Sequence, residues 1–144
     1  MSSRTICIVL CTETPIPIFD PRVSAVVDEI LQIDGLQHGP QFPLVDSHSR
    51  DSVRSVLGSV GSLRRGEADG VPALLSVAHF AASVSDVFEL YQAAHIDGFS
   101  ISARRKMIER RDDGTRVVPQ SEQIECSTVV NSLLKNAVAR PSRP

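Results

Sequence analysis

The sequence predicts one α+β domain made mostly of β-strand, with about six to eight short strands and one or two helices. The apolar, β-branched run from Thr5 to Cys11 is typical of a buried strand. Apolar segments at Val53 to Leu63 and Val71 to Phe80 flank a polar turn at Arg64 to Gly70, which indicates a hairpin. Only Ser83 to His95 has the apolar spacing of a clear helix. This pattern favours a closed or partly closed β-barrel with one or two peripheral helices.

Composition and charge describe an ordinary soluble domain that spans residues 1–144. Hydrophobic residues make up 42% of the chain and charged residues 22%. The net charge of −2 gives no reason to expect specific nucleic-acid binding. We expect no signal peptide and no membrane partner, because the apolar runs are far shorter than the roughly 20 residues that a membrane helix needs. The three cysteines are expected to stay reduced in a cytoplasmic protein.

The segment from Asp20 to Leu31 fits two structures. Its apolar residues have helical spacing after a good helix start, so periodicity alone predicts a helix. Ser24 to Ile33 is also rich in valine and isoleucine, as a strand would be. On either side, Thr14 to Ile18 carries two prolines and is predicted to be an edge or loop segment, and Gly35 to Pro43 is predicted to be a loop.

The second half of the chain is predicted to alternate between helix and strand. The helix at Ser83 to His95 should be capped by Ser85 or Asp86 and end at Gly98. The remaining predictions are strands at Phe99 to Ile108, Thr115 to Val118 and Gln123 to Val130, a charged turn at Arg110 to Gly114, a short helix at Asn131 to Val138, and a flexible tail at Ala139 to Pro144.

Three side chains have the chemistry that a hydrolytic site requires. His48 directly follows an apolar run, where the end of a strand can present a base to a cleft. Ser100 follows Gly98, at a point where backbone N–H groups can face a developing oxyanion. Glu125 lies in an otherwise apolar stretch, and an acid on the inner face of a strand must be paired. A serine hydroxyl needs an adjacent base, and that base needs a third group to orient it.

These residues lie in segments that resemble the prohead proteases of tailed phages. Phe42 to Val60 contains Pro-Leu-Val-Asp-Ser-His and Val-Leu-Gly-Ser-Val, similar to two stretches of that family. His95 to Ile101 resembles the family's serine signature, and Gln123 to Ser127 resembles a later strand that carries a glutamate. The resemblance covers nearly the whole chain.

The resemblance implies that His48 is the general base, Ser100 the nucleophile and Glu125 the third catalytic group. It implies a fold similar to the herpesvirus assemblin proteases, a β-barrel with peripheral helices, which shifts the expectation for Ser24 to Ile33 towards strand. The implied activity is that of a serine endopeptidase that cleaves scaffold and capsid-protein segments, and its own chain, during prohead maturation. It would act in the host cytoplasm or inside the immature capsid, without a metal or cofactor.

Two departures keep a second function open. Ser102 stands where the family usually has glycine, and Val129 to Leu134 replaces a proline-containing stretch. The alternative is a catalytically inactive, prophage-derived module for capsid assembly. Its basic residues at Arg104 to Lys106 and Arg110 to Arg111 would then bind an acidic scaffold or packaged nucleic acid. Self-association into a homo-oligomer fits either function.

Other nucleophiles and ligands are less well placed in the sequence. Ser100 and Ser102 are two residues apart on a predicted strand and share a face, so only the resemblance selects Ser100. The spacing of Cys7 and Cys11 does not match the usual zinc motifs. Cys126 lies beside an acid rather than a cation that would activate its thiol.

Overall fold

The computed structural model describes residues 3–49, 51–129 and 139–140. Within these residues the protein is mostly β, with a single α-helix. That helix is not long enough to span a membrane. The elements are β1 Thr5–Thr12, β2 Ile16–Asp20, β3 Ala25–Leu31, β4 Leu36–Gln37, β5 Gln41–Asp46, β6 Val56–Ala68, β7 Val71–Phe80, α1 Ser85–Gln92, β8 Gly98–Arg110, β9 Arg116–Val129 and β10 Ala139–Arg140.

All ten of these strands belong to one mixed sheet organised around β9. The order is β10-β1-β7-β6-β5-β9-β3-β2, and β4 and β8 also pair with β9. β8 runs antiparallel to β9 along most of its length. β3, β4 and β5 pair with successive parts of β9 in the parallel sense. The carboxyl end of β5 therefore lies beside the same part of β9 that pairs with the start of β8.

The predicted predominance of β-strand with few helices is confirmed. The described strands do not, however, close into a barrel, because their pairing runs from β10 to β2 without returning to its start. The prediction of a closed barrel is therefore wrong for the part of the chain that the structure describes.

The helix predicted from the periodicity of Asp20 to Leu31 is wrong. The segment turns at residues 21–24, where Ser24 has a φ of 50°. It then forms β3, which pairs with β2 on one edge and with β9 on the other. Strand pairing satisfies the backbone of this valine-rich segment, and this tertiary context overrides the helical spacing. The alternative expectation of a strand in this region agrees with the structure.

The turn predicted at Arg64 to Gly70 is much shorter in the structure. β6 continues to Ala68, and only Asp69 and Gly70 connect it to β7. Both connecting residues have positive φ, 53° and 80°. Asp-Gly is a preferred sequence for a two-residue hairpin turn, and this signal outweighs the polar character of the preceding residues.

The predicted helix is present but shorter, and its predicted ends are wrong. α1 is preceded by Val84, and no side chain caps its first turn. It ends at Gln92, and Ala94, with a φ of 60°, adopts the left-handed conformation that follows it. Gly98 instead begins β8. The helix therefore ends just before a non-glycine residue in the left-handed conformation, and not at the predicted glycine cap.

The structure after Gly114 agrees only in part with the prediction. The strands predicted at Thr115 to Val118 and Gln123 to Val130 are one continuous strand, β9, which ends at Val129. The helix predicted at Asn131 to Val138 lies outside the described residues. Ala139 and Arg140, predicted to begin a flexible tail, form β10 and pair with β1.

Aromatic packing fixes the start of β8 against α1. The rings of Tyr91 and Phe99 stack with centroids 4.6 Å apart, and Phe80 contacts both Phe88 and Tyr91. The hydroxyl of Tyr91 donates to the carbonyl oxygen of Gly98 at 2.6 Å. Burial raises the pKa of Tyr91, so this hydroxyl keeps the proton that it donates. This hydrogen bond fixes Gly98, the first residue of β8, two residues before Ser100.

Candidate active site

A tight turn at the end of β5 positions His48. Ser47 and His48 have φ values of 48° and 62°, and the N–H of Ser49 donates to the carbonyl oxygen of Asp46 at 2.8 Å. This is the pattern of a type I′ turn. Residues with a β-carbon adopt this conformation at a cost of roughly 1–2 kcal/mol each, so contacts outside the turn must hold it. One of them is a hydrogen bond from the N–H of Ser47 to the carbonyl oxygen of Thr128 on β9.

Glu125 contacts the ring of His48 from β9. The Nδ1 atom of His48 lies 2.5 Å from Oε1 of Glu125. The Glu125 side chain is 1% exposed, whereas that of His48 is 43% exposed. A buried carboxylate is unfavourable without a partner, and His48 is the partner that accounts for an acid at this position. The contact fixes the Nδ1 edge of the imidazole, and Nε2 lies on the opposite edge of the ring.

A second side chain of β9, Ser127, joins the same group. Its Oγ accepts a hydrogen bond from the backbone N–H of His48 at 2.8 Å and donates one to Oε2 of Glu125 at 2.8 Å. Ser127 is completely buried. Sequence reasoning assigned no role to this residue. The available signal was its position two residues after Glu125, which puts both side chains on one face of the strand.

The candidate nucleophiles lie on β8, directly across from this group. Ser100 is paired with Ser127, and Ser102 is paired with Glu125. Residues directly opposite each other in adjacent strands share a face of the sheet. Both serines line the same cavity as His48. Within the described residues, no hydrogen bond joins His48 to either serine, so the preference for Ser100 stays a prediction.

The cavity beside these residues has a volume of about 340 Å³, within the usual range for ligand sites. The end of β1, the β2–β3 hairpin and β8 enclose it, and its apolar walls include Ile16, Ile18, Leu31 and Ile101. Four consecutive residues of β8, 100–103, line the cavity. The pairing of β8 with β9 shifts register between Ser102 and Ala103, which interrupts the usual alternation of side chains within this stretch.

Ion pairs between buried acids and arginines hold the hairpin wall of this cavity. Glu29, 2% exposed, lies 2.5 Å from the Nη2 atom of Arg105 and 2.8 Å from Nε of Arg116. Asp20, 1% exposed, lies 2.5 Å from Nη2 of Arg110 and 3.4 Å from Nη1 of Arg116. The acids belong to β2 and β3, and the arginines to β8 and β9. The network therefore joins the cavity wall to the strands that carry Ser100 and Glu125.

The cysteines near the cavity are unsuited to nucleophilic attack. Burial, together with the nearby carboxylate of Glu13, raises the pKa of Cys11 to about 12. Burial and the neighbouring Glu125 also raise the pKa of Cys126. A thiol that stays protonated at neutral pH is a poor nucleophile. Ser100 and Ser102 are therefore the better candidates on chemical grounds.

Comparisons with protein families, with curated proteins and with solved structures found no match to this chain. Inference about function therefore rests on the geometry of the site, where the structure brings His48 and Glu125 into contact and places Ser100 beside the same cavity.

Proposed function

We propose that this domain is a serine endopeptidase of the prohead-protease type. It would cleave scaffold or capsid-protein segments, and its own chain, during maturation of a phage prohead. The observation that carries the proposal is the 2.5 Å contact between Nδ1 of His48 and the buried carboxylate of Glu125, beside a cavity that also contains Ser100. An oriented base next to a hydroxyl is the minimal requirement for serine catalysis.

The mechanism assigns one role to each of the three residues. Nε2 of His48 takes the proton from the Ser100 hydroxyl as its oxygen attacks a peptide carbonyl carbon. Glu125 holds the ring through Nδ1 and stabilises the imidazolium that forms. The imidazolium then gives its proton to the leaving amine, which leaves an acyl group on Ser100. Water, activated by the same imidazole, hydrolyses this ester and restores the hydroxyl.

The cavity is suited to a peptide in an extended conformation. Residues 100–103 of β8 border it, and a peptide laid alongside could form main-chain hydrogen bonds with this strand. The walls formed by Ile16, Ile18 and Leu31 would receive apolar side chains. We also propose that the sheet forms a partly closed barrel similar to that of the herpesvirus proteases.

A non-catalytic binding module is the second candidate, and its basic cluster is partly neutralised within the domain. Arg104 lies 3.0 Å from Glu122, and Lys106 lies 3.3 Å from the same carboxylate. Hydrogen bonds from Arg104 and Lys106 lower the pKa of Glu122, which keeps it charged. Arg105 and Arg110 contact the buried Glu29 and Asp20. Three carboxylates thus offset part of the positive charge of the cluster, which weakens the case for an acidic scaffold as its ligand.

Co-expression with a capsid protein from the same phage or prophage genome tests the proposal. We expect a truncated capsid protein with the unmodified chain and an intact one with Ser100→Ala or His48→Ala. Ser76→Ala is a matched control, because Ser76 is buried on β7 and its hydroxyl has no hydrogen-bond partner among the described residues. Equal truncation by the Ser100→Ala variant would contradict the assignment. An intact capsid protein with every variant and with the unmodified chain would favour the binding module.

A further inference from the structure

We propose that the outward face of the β2–β3 hairpin is an interface between two copies of this chain, centred on Phe19 and Val26. These two residues lie directly opposite each other in the hairpin. The copies would pack face to face, related by a two-fold axis that runs across the strands at this pair. The interface is independent of the proposed proteolysis, because it uses the side of the hairpin that faces away from the cavity.

Strand alternation gives the hairpin two different faces. The inward face carries the residues that line the cavity or contact the arginines of β8 and β9, which are Ile16, Ile18, Asp20 and Glu29. The outward face carries the intervening residues, with Pro17 opposite Asp28 and Phe19 opposite Val26. The solvated face of a sheet is normally polar, whereas Asp28 is the single charged residue among these four.

Phe19 is exposed in a way that no other phenylalanine of the chain is. The chain has five phenylalanines, and the other four are 9% exposed or less, whereas Phe19 is 64% exposed. Val26 opposite it is 67% exposed, and Val23 in the connecting turn is 50% exposed. Adjacent exposed apolar side chains mark interaction surfaces, and aromatic residues are enriched at the centres of such surfaces.

Two charged residues flank the apolar pair and point to a second copy as the partner. Arg22 lies in the turn beyond Phe19, and Asp28 lies two residues from Val26 in the other direction, roughly 7 Å along the strand. Both are exposed, and neither side chain forms an ion pair among the described residues. The two-fold axis brings Arg22 of each copy towards Asp28 of the other, so the surface is complementary to itself.

Pro17 favours packing of faces over pairing of strand edges. β2 is the last strand of the described order, so one of its edges has no neighbouring strand there. Proline has no backbone N–H, and within a strand it is tolerated where that N–H would face an open edge. Pro17 therefore removes a donor from the open edge of this five-residue strand, which disfavours extension of the sheet by a second copy.

Analytical ultracentrifugation of the purified chain, from about 1 μM to about 1 mM, tests the interface. Three apolar side chains per copy cover much less than the roughly 800 Å² that each partner buries in a standard interface, so we expect a weak dimer with a Kd on the order of 10 to 100 μM. Phe19→Thr should remain monomeric over this range. Val53→Thr is the matched control, because Val53 is 88% exposed outside the hairpin, and it should dimerise like the unmodified chain.

Exchange of the two charges distinguishes this arrangement from other modes of association. Arg22→Asp and Asp28→Arg should each bring like charges together and raise the Kd by about 10-fold or more, whereas the double variant should restore dimerisation. A chain that stays monomeric at the highest concentration would overturn the proposal and leave this face to a different partner. Association that Phe19→Thr leaves unchanged, or that the double variant fails to restore, would overturn the interface described here.

Discussion

Ser102 lies in β8 just before a register shift in the pairing with β9, and the family resemblance places glycine at this position. It lies within β8, and its φ is not in the left-handed region that favours glycine. The serine is therefore compatible with the backbone, which does not need glycine here for conformational reasons. What Ser102 adds is a second hydroxyl that lines the cavity beside Ser100.

Ser102→Gly should keep or raise peptidase activity. The substitution removes the competing hydroxyl from the cavity and leaves Ser100 in place. The rate of capsid-protein cleavage measures the effect, with Ser100→Ala as the inactive reference, expected to fall by about 10⁴-fold or more. Loss of activity in Ser102→Gly with retention in Ser100→Ala would make Ser102 the nucleophile.

Glu125→Gln should lower kcat by about 10²- to 10⁴-fold, less than the loss of Ser100. A glutamine can direct its carbonyl oxygen at Nδ1 of His48, but its amide would then face the Ser127 hydroxyl, which loses the acceptor for its proton. The glutamine also cannot balance the charge of the imidazolium. Single-turnover cleavage rates, with circular dichroism to verify folding, measure the difference. An activity loss as large as that of Ser100→Ala would show that Glu125 contributes more than its negative charge.

At the residue level, the sequence indicated which groups to examine but not how they are connected. Glu125 could be singled out because an acid in an apolar strand needs a partner, and the structure shows His48 in that place. Ser127 could not, because a serine two residues from an acid is common and its value depends on the turn at Ser47 and His48. That turn requires two consecutive non-glycine residues with positive φ, which is uncommon.

Among the elements, β6 depends on close backbone approach at one glycine. A β-carbon on Gly58 would lie 1.8 Å from the carbonyl oxygen of His79 on β7. The main-chain atoms of two paired strands cannot move apart without breaking the ladder that includes Gly58 and Phe80. Gly61, three residues later on the same strand, would place a β-carbon 3.5 Å from its nearest neighbour, which is an ordinary contact.

Gly58→Ala should therefore destabilise the domain by about 1–3 kcal/mol or more, the usual range for forced overpacking. Gly61→Ala should be neutral or stabilising by up to about 1 kcal/mol, because alanine reduces the entropy of the unfolded chain. Urea unfolding of the two variants measures both free energies. Equal free energies of unfolding for the two variants would show that β6 and β7 leave room for a β-carbon at Gly58.

Elements with a single strong local signal were predictable, and those that depend on their neighbours were not. The run at Thr5 to Cys11 and the segment at Val71 to Phe80 were identified closely, since each is short, apolar and rich in strand-forming residues. Asp20 to Leu31 satisfied both helical and strand patterns, and only pairing with β2 and β9 decides between them. The joining of two predicted strands into β9 likewise depends on long-range pairing with β8.

For the whole molecule, the ion-pair network that joins the β2–β3 hairpin to β8 and β9 makes stability depend on pH. Burial alone would raise the pKa of Asp20, but hydrogen bonds from the backbone of Arg22 and from Arg110 and Arg116 outweigh it and lower the pKa. The unfolded chain therefore binds a proton more readily than the folded one at this position. The stabilisation is complete above the unfolded-state pKa, near 4, and is lost as the pH falls through the lower folded-state value.

We expect the urea midpoint to decrease as the pH is lowered from about 6 to about 3, and to decrease less steeply in Asp20→Asn. Glu122 and Asp113, whose pKa values are also lowered, should leave part of the dependence in that variant. Asp28→Asn is the control, because Asp28 is exposed on β3 and forms no ion pair among the described residues. If Asp20→Asn leaves the dependence of the urea midpoint on pH unchanged, Asp20 does not contribute to that dependence.

The central claim is that Ser100 is a nucleophile activated by His48, and covalent labelling tests it most directly. The purified chain is treated with a fluorophosphonate, which reacts with activated serines, and the modified residue is located by peptide mass spectrometry. We expect a single adduct on Ser100 that disappears in His48→Ala and persists in Ser121→Ala, which changes a serine that is buried on β9. An adduct on Ser102, or labelling of Ser100 that is independent of His48, would contradict it.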